Sequence, residues 1–383
     1  MRRPVPQGDV KSPKTHSIRC KEETGEMKGN TMGERTDFIG LDLSDKTGTY
    51  VVLSAEGKVV QEGKLSLNQA GICQVLGKRT PANIAIEVGT HSPWLSRKLT
   101  DMGYAVTVAN PRQVQLISKG PRKNDRLDAE NLARLLRYDR SMLRPVTHRG
   151  VTAQADLALL RARDALVRSR VSLISSVRGM VKAVGGSLPR CSTDSFHKKV
   201  KDDLPELVRP ALEPMLEAIA GLTGQISAMK RKLEQLAEER YPETRSLRQI
   251  KGAGMLTSLC YVLTLEEPQR FGKSRSVGAF LGLTTRQYDS GQSQPQLRIT
   301  KAGDPLLRRT LVQSAQYILG PFGADCDLRR WGLKLAGDGA NQARKRKAVV
   351  AVARKLAVLL HRLWQDGEVY EPLRQTAPLA DAA

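Results

Sequence analysis

The segment FIGLDLSDKTGTYVVLSAEGKVVQEGKLSL, residues 38–67, decides the fold of the first part of the chain. Three runs rich in β-branched and aliphatic residues are separated there by the turn signals DKTG and AEGK. Two shorter strand patterns follow, ANIAIEVG at 82–89 and YAVTVAN at 104–110, with a helical pattern over 92–102 between them. This order predicts a three-stranded meander, then a β-α-β unit and a closing helix at 125–137. The result is a mixed α/β sheet flanked by helices.

The strand pattern ends after this region, and two long helices are predicted between residues 151 and 240. In the second helix, apolar residues alternate steps of three and four, which is the heptad seam of a coiled coil. The seam consists of Leu212, Met215, Ile219, Leu222, Ile226, Met229, Leu233 and Leu236. Such a seam requires a partner helix. A homo-oligomer, dimer or tetramer, joined by this coiled coil is expected, and an intramolecular helical hairpin is the equally supported alternative.

The composition indicates a partner with negative charge. The 383 residues include 62 Lys and Arg against 39 Asp and Glu, for a formal net charge of +23. Such a charge draws a protein to polyanions, of which nucleic acid is the commonest soluble example and an anionic membrane surface is the rival. No run of about 18 uncharged apolar residues is present, so no membrane-spanning helix is predicted.

The cysteines and the N-terminus indicate a cytoplasmic protein, which is expected to be nucleoid-associated. The five cysteines are scattered without a C-x-x-C pair, so neither a disulfide nor a zinc site is predicted. Residues 1–36 are basic, have almost no large hydrophobic residues, and lack the apolar core of a signal peptide. They are expected to be a disordered tail, or sequence upstream of a later natural start at Met32.

Two acids interrupt otherwise hydrophobic strands. Asp42 shares a strand face with Gly40, and Glu87 shares a strand face with Ala85 and Gly89. A carboxylate in such a strand is costly to desolvate unless it is paired or binds a metal. The simpler alternative for each acid is a strand end, where it caps a turn or pairs with an arginine.

Two more acids, Asp125 and Asp128, begin the helix DRLDAENLARLLR. Asn124 or Asp125 is a suitable N-cap, and acids in the first turn are favoured by the helix dipole. Capping explains one of the two acids better than both. Together with Asp42 and Glu87 they could converge on one or two Mg²⁺ ions, which prefer carboxylate oxygens and support phosphoryl transfer.

The motifs taken together resemble the DEDD transposases of bacterial insertion sequences. The resemblance covers roughly residues 37–320. It is carried by IGLDLS, IAIEVGTHSPW, NPRQVQLISKGPRKNDRLDAENLARLL and IKGAGMLTSLCYVLTLEEPQRFGKSRSVGAFLGLTTRQYDSGQ. The insertion-sequence one-ten type family that they resemble is described as bridge-RNA-guided serine recombinases. Asn124 and Thr285 depart from the usual Thr and Pro of the family, but neither is a proposed catalytic group.

The resemblance implies a domain organisation. It implies a RuvC-like domain with the ribonuclease H fold at 37–145, after the tail at 1–36. A helical coiled-coil spacer would cover 146–245, and a mainly α-helical transposase domain would cover 246–330. The remainder, 331–383, is predicted to be a basic helix and a tail.

The resemblance also implies the site. Asp42, Glu87, Asp125 and Asp128 would bind Mg²⁺, and Ser290 would form a covalent phosphoserine bond to DNA. Spacing alone does not distinguish Ser290 from Ser293. The implied partners are donor DNA, target DNA and a structured guide RNA. The residues predicted to bind nucleic acid are Lys123, Arg126, Arg286, Arg298, Lys301, Arg308 and Arg309.

Three other functions remain open from the sequence. The first is a Holliday-junction-type nuclease that uses metal-activated water in place of a serine, and the second is a non-catalytic nucleic-acid-binding protein with structural acids. The third is a phosphotransferase, because IGLDLS followed by two hairpin strands also resembles the opening of sugar kinases. No Gly-rich adenosine loop and no G-x-x-x-x-G-K-[ST] motif supports the third function.

Overall fold

The computed structural model describes residues 37–110, 124–295, 297–337 and 341–374. The predicted tail at 1–36 and the predicted DNA contact Lys123 lie outside these ranges. The chain divides into two compact units, Met1–His148 and Arg149–Ala383. Each unit contains hydrophobic clusters of its own.

The described part of the first unit contains a mixed sheet of five strands. The strands are β1 Phe38–Leu43, β2 Thr47–Leu53, β3 Val59–Ser66, β4 Asn83–Glu87 and β5 Ala105–Ala109. Their order is β3-β2-β1-β4-β5, with antiparallel pairing of β1, β2 and β3 and parallel pairing of β1, β4 and β5. The predicted meander and β-α-β unit are confirmed. The two short turns allow only antiparallel neighbours, whereas the helical crossover makes β4 and β5 parallel.

The helices of the first unit lie on both faces of this sheet. They are α1 Gln69–Leu76, α2 Ser92–Asp101 and α3 Asp125–Tyr138, followed by a 3₁₀ turn at Arg140–Leu143. The side chains of Ile39 and Leu41 pack in one cluster with Ile72 of α1 and Leu95 of α2. Helix α1 was not predicted from the sequence.

Helix α3 covers the opposite face, where the strands carry small residues. A methyl group at Gly40 would lie 1.8 Å from the carbonyl oxygen of Ala129 and 2.7 Å from the backbone nitrogen of Ala133. Ala85 packs in a cluster with Leu132 and other residues on this face. Glycine at position 40 therefore allows the helix backbone to approach the sheet closely. Asp42 and Glu87 belong to this same small-residue face.

Two long helices begin the second unit and pack against each other as an antiparallel pair. They are α4 Val151–Ala183 and α6 Arg209–Arg240, and the short helix α5 Phe196–Lys199 lies in their connection. At one end Leu160 shares a hydrophobic cluster with Leu233, and at the other Val177 shares a cluster with Leu216. The heptad seam of α6 is thus buried against α4 of the same chain. The structure favours the intramolecular alternative and does not support the predicted coiled coil between protomers.

The rest of the described second unit is mainly helical, as predicted. It contains α7 Thr244–Leu247, α8 Met255–Leu265, a 3₁₀ turn at Pro268–Arg270, α9 Ser276–Phe280, α10 Pro305–Leu319, α11 Asp327–Ala336 and α12 Gln342–Asp366. Every residue of α8 from Thr257 to Leu265 is buried. A helix that is hydrophobic on all sides must be enclosed, and α8 contributes to one core with α4, α10 and α12. Across the described ranges, no helix is long and apolar enough to cross a membrane.

Candidate active site

The first two predicted metal ligands lie at the carboxyl ends of neighbouring parallel strands. The last register pair of β1 and β4 joins Leu41 to Ile86, and Asp42 and Glu87 are the next residues on the two strands. Both acids are half-buried. Since parallel neighbours end at the same edge of a sheet, the structure brings these two residues to one edge on one face.

The other two predicted ligands lie in the first turn of α3. Asn124 is the N-cap, and its side-chain oxygen accepts a hydrogen bond of 3.0 Å from the backbone nitrogen of Arg126. Asp125 is exposed and Asp128 is half-buried. Because Asn124 already caps the helix, neither aspartate is needed for that role.

Arginine contacts establish the direction in which α3 crosses the sheet. Arg137 donates a hydrogen bond of 3.0 Å to the carbonyl oxygen of Ala55, in the turn between β2 and β3. That turn lies beside the start of β1, because Phe38 pairs with Leu53. The last turn of α3 is therefore near the start of β1. Its first turn, with Asp128, points toward the end of β1 that carries Asp42.

The four acids are thus at the same end of one sheet, but they do not form a closed cluster. Within the described ranges, no three His, Cys, Asp or Glu side chains form a group that could hold a metal ion. The donor type is nonetheless appropriate, because carboxylate oxygens are the protein ligands that Mg²⁺ prefers.

Arg126, predicted to bind nucleic acid, binds two carboxylates in the structure. Its Nε donates to Oε2 of Glu62 over 2.7 Å, and one terminal nitrogen donates to Oε2 of Glu130 over 3.1 Å. The hydrogen bond raises the pKa of Arg126 and lowers the pKa of Glu62. The guanidinium connects the first turn of α3 to β3, and Arg126 lies between Asp125 and Asp128 in the sequence.

In the second unit, Ser290 lies at the tip of a hairpin, described at residues 284–295 and 297–300, which we call the serine hairpin. The backbone nitrogen of Ser290 donates to the carbonyl oxygen of Ser293 over 3.1 Å, and the reverse bond measures 2.9 Å. Gly291, the first of the two intervening residues, has a φ of 55°. A positive φ at this position is typical of two-residue hairpin turns and favours glycine. Ser290 is exposed.

Backbone hydrogen bonds connect the two strands of the hairpin near its base. Thr300 donates to Thr284 over 2.9 Å, and Arg286 donates to Arg298 over 3.0 Å. Below them, the guanidinium of Arg308 donates to the carbonyl oxygen of Leu281 over 3.0 Å and to that of Gly303 over 3.4 Å. Arg308 therefore bridges the two chain segments that enter and leave the hairpin.

The other predicted nucleic-acid contacts in this unit differ in their surroundings. Arg286 and Arg298 are exposed on opposite strands of the serine hairpin, and Lys301 is exposed just beyond it. Arg309 forms a short ion pair with Asp164 of α4. Arg309 is thus already paired with a carboxylate, whereas Arg286, Arg298 and Lys301 are exposed.

Sequence reasoning missed two features of this hairpin. The first is the bridge formed by Arg308, whose contacts depend on tertiary structure. The second is the exposed ring of Tyr288. Tyr288 is 75% exposed on the serine hairpin. A sequence signal for Tyr288 does exist, because an aromatic residue in the polar segment RQYDSGQ is unusual for a solvated loop.

Comparison with known proteins defines the class. A transposase model of the DEDD type matches residues 39–185, and a second model, described as the transposase family IS116/IS110/IS902, matches residues 244–322. The two matches occur in the order that the sequence resemblance implied. The protein is a transposase.

Curated relatives match over most of the chain. A transposase of Sinorhizobium fredii is 27% identical, and the alignment covers 92% of this chain and 90% of the relative. The transposase for insertion sequence element IS1111A of Coxiella burnetii is 26% identical, with coverage of 87% and 91%. The transposase for insertion sequence element IS1328 of Yersinia enterocolitica is 29% identical, with coverage of 74% and 84%. The chain belongs to the IS110 family of insertion-sequence transposases.

Proposed function

We propose that this transposase cuts and rejoins DNA strands through a covalent phosphoserine bond to Ser290. The observation that carries the proposal is the exposed position of Ser290 at the tip of the serine hairpin. The backbone atoms of Ser290 close the turn, so the turn does not depend on the side-chain hydroxyl. Arg286 and Arg298 of the same hairpin supply positive charge for a phosphodiester.

The number of phosphoester bonds stays constant in the proposed reaction. In the cutting step, Oγ of Ser290 attacks phosphorus and gives up its proton, one bond from phosphorus to a strand oxygen breaks, and that oxygen takes up a proton to leave as a strand hydroxyl. In the rejoining step, a strand hydroxyl attacks the phosphoserine and gives up its proton, the bond from phosphorus to Oγ breaks, and Ser290 regains a proton. One phosphoester replaces another in each step, so exchange of strands requires no external source of energy.

The first unit would be a RuvC-like domain with the ribonuclease H fold. Asp42, Glu87, Asp125 and Asp128 would hold one or two Mg²⁺ ions at their shared end of the sheet. This assignment is supported by the carboxylate donor set and by the placement of the four residues. When bound, Mg²⁺ would polarise phosphoryl oxygens and stabilise negative charge on a departing oxygen.

The proposed partners follow from the resemblance and the charge. Donor and target DNA would be recognised by pairing with a structured guide RNA, and the net charge of +23 suits binding to both nucleic acids. The active form would be a homo-oligomer, dimer or tetramer. The protein would act in the cytoplasm at the nucleoid.

A covalent adduct tests the nucleophile. The full chain is incubated with its RNA, Mg²⁺ and DNA carrying an insertion-sequence end, and the mixture is denatured and separated by electrophoresis. We expect a protein–DNA adduct that resists denaturant. After nuclease and protease digestion, mass spectrometry should locate the remaining nucleotide on Ser290.

Two serine variants provide the controls. Ser290→Ala should abolish the adduct, whereas Ser293→Ala should retain it, because Ser293 contributes backbone bonds to the same turn. An adduct that persists in Ser290→Ala would contradict the assignment. Cleavage without any adduct in the unmodified protein would instead indicate the water-dependent nuclease.

The acids are tested by separating DNA binding from strand cutting. Asp42→Ala and Asp128→Ala should stop cutting while leaving DNA affinity unchanged, and chelation of divalent metal should have the same effect on the unmodified protein. If both variants exchanged strands normally, with binding unchanged, the metal-dependent mechanism would be wrong. Normal DNA binding without cutting in any form of the protein would support the non-catalytic alternative.

A further inference from the structure

The serine hairpin presents an aromatic side chain to solvent two residues before the proposed nucleophile. Tyr288 is 75% exposed and lies two residues before Ser290. Every described residue from 285 to 298 is exposed, so no part of this segment is packed into the core. Tyr288 therefore has no structural role in the hydrophobic clusters of the unit, unlike the fully buried Tyr261.

The charge around Tyr288 suits a polyanion. Arg286 and Arg298 are exposed on the two strands, and their backbones are joined by a hydrogen bond of 3.0 Å. Within residues 284–300 these two cations face a single acid, Asp289. Exposed basic side chains combined with an exposed aromatic ring are typical of surfaces that bind single-stranded nucleic acid, where cations contact phosphates and rings stack on bases.

A protein partner fits this hairpin less well. Protein-binding surfaces usually expose several hundred Å² of contiguous apolar area. The large hydrophobic side chains exposed on the described part of the hairpin are Tyr288, at 75%, and Leu297, at 36%. Duplex DNA also fits less well, because the faces of its bases are covered by neighbouring bases.

We propose that Tyr288 stacks on an unpaired base of the DNA strand next to Ser290, while Arg286 and Arg298 bind the flanking phosphates. The backbone bonds and the bridge from Arg308 hold the base of the hairpin, so the ring is presented from a supported position. This role deepens the proposed function, since the strand that Tyr288 holds would be the strand that Ser290 cuts. Binding itself does not require the serine chemistry.

Binding measurements with the full chain test the proposal. The probes are a single-stranded oligonucleotide and the matching duplex, both labelled for fluorescence anisotropy. Tyr288→Ala should weaken binding of the single strand about 5- to 150-fold, the range observed when one stacking aromatic is removed. Tyr288→Phe should bind within about twofold of the unmodified protein, because the ring is retained. A 2-aminopurine base in the single strand should be quenched by the unmodified protein and less quenched by Tyr288→Ala.

Tyr138→Ala is the matched control, because Tyr138 is 82% exposed but lies in the first unit. It should leave both affinities unchanged. The proposal fails if Tyr288→Ala binds the single strand as tightly as the unmodified protein. It also fails if Tyr288→Leu matches Tyr288→Phe, or if single-strand and duplex affinities fall by the same factor.

Ser290→Ala separates this inference from the proposed function. That variant should lose the covalent adduct and bind the single strand normally. If Ser290→Ala still formed the adduct, the assigned nucleophile would be wrong while the binding role of Tyr288 would be unaffected. If Tyr288→Ala formed the adduct at the normal rate and bound the single strand normally, the role of Tyr288 would be wrong and that of Ser290 would stand.

Discussion

The guanidinium of Arg126 joins helix α3 to strand β3 through the carboxylate of Glu62, with 2.7 Å between Nε and Oε2. Arg126 lies between Asp125 and Asp128 in the chain, and both aspartates are proposed metal ligands. We infer that Arg126 is a positioning residue that orients the first turn of α3. It would then contribute to the metal site without contacting DNA.

This inference predicts coupled effects of two substitutions. Arg126→Gln and Glu62→Gln should each raise the Mg²⁺ concentration needed for half-maximal cutting by a few-fold, because the pair is exposed and its contribution is modest. The double variant should need no higher Mg²⁺ concentration than the more impaired of the two single variants. Titration of Mg²⁺ at saturating DNA measures the effect.

The alternative role of Arg126 gives a different pattern. If the guanidinium bound a phosphate, Arg126→Gln would weaken DNA binding and reduce the salt dependence of binding by about one unit of slope, whereas Glu62→Gln would not weaken it. DNA affinities of the two variants at several salt concentrations therefore distinguish a positioning residue from a DNA contact.

The close approach of α3 to the sheet leads to a prediction on stability. Gly40→Ala should destabilise the protein by about 1–3 kcal/mol or more, since the added methyl group would overlap the backbone of Ala129. The helix would have to move away from the sheet, so cutting should also fall. Thermal or denaturant unfolding measures the first effect and the adduct assay measures the second.

Gly89→Ala is the control for Gly40→Ala. A methyl group at Gly89 would have no atom within 4 Å, so the free energy of unfolding should change by less than about 0.5 kcal/mol. Equal stability of the two variants would mean that α3 does not pack as closely against β1 as the structure indicates.

The sheet and the long helices could be predicted because their patterns are local. Apolar residues in FIGLDLS alternate with the two-residue period of a strand. Leu212, Ile219 and Ile226 recur every seven residues, as on one face of a helix. Helix α1 was missed because QAGICQVL is short and has no strong helical periodicity. The seam of α6 requires a partner helix, but its sequence does not specify which one. In the structure the partner is α4 of the same chain.

The roles of individual charges were less predictable than the elements that carry them. Arg126 binds a carboxylate 64 residues away, and Arg309 binds Asp164 in a different helix. A positive charge in a basic segment is compatible with a phosphate or with a distant acid, and only tertiary structure distinguishes the two. The strand faces on which Asp42 and Glu87 lie were easier to predict, because successive side chains of a strand alternate between the two faces of a sheet.

The bridge formed by Arg308 predicts a defect in the serine hairpin. Arg308→Ala should leave the carbonyl oxygens of Leu281 and Gly303 without this donor and loosen the base of the hairpin, at a cost of about 1–3 kcal/mol. Amide hydrogen exchange of residues 284–300 should become faster, and adduct formation should slow.

Arg309→Ala is the matched control for Arg308→Ala, because it removes the same charge from the next residue of α10. Its partner is Asp164, so exchange in the hairpin should stay normal. If both variants lost DNA affinity equally and hairpin exchange did not change, Arg308 would be a DNA contact, as predicted from the sequence, and not a bridge.

Cys260 in the enclosed helix α8 predicts a pH dependence. Burial raises the pKa of its thiol from an ordinary value near 9 to about 12. The unfolded chain therefore loses this proton at a lower pH than the folded chain does. Stability from the protonated thiol is fully present below about pH 9 and is lost as the pH rises toward about 12. Unfolding free energies of the unmodified protein and of Cys260→Ala should be compared from pH 8 to 10.5. The unmodified protein should lose stability more steeply above pH 9, and identical slopes would mean that the thiol is accessible to water.

The burial of Cys260 also predicts the order in which the cysteines react. In the native state at pH 8, a thiol reagent should modify the half-buried Cys73 and Cys191 before the buried Cys260, because a buried thiol is neither accessible nor readily ionised.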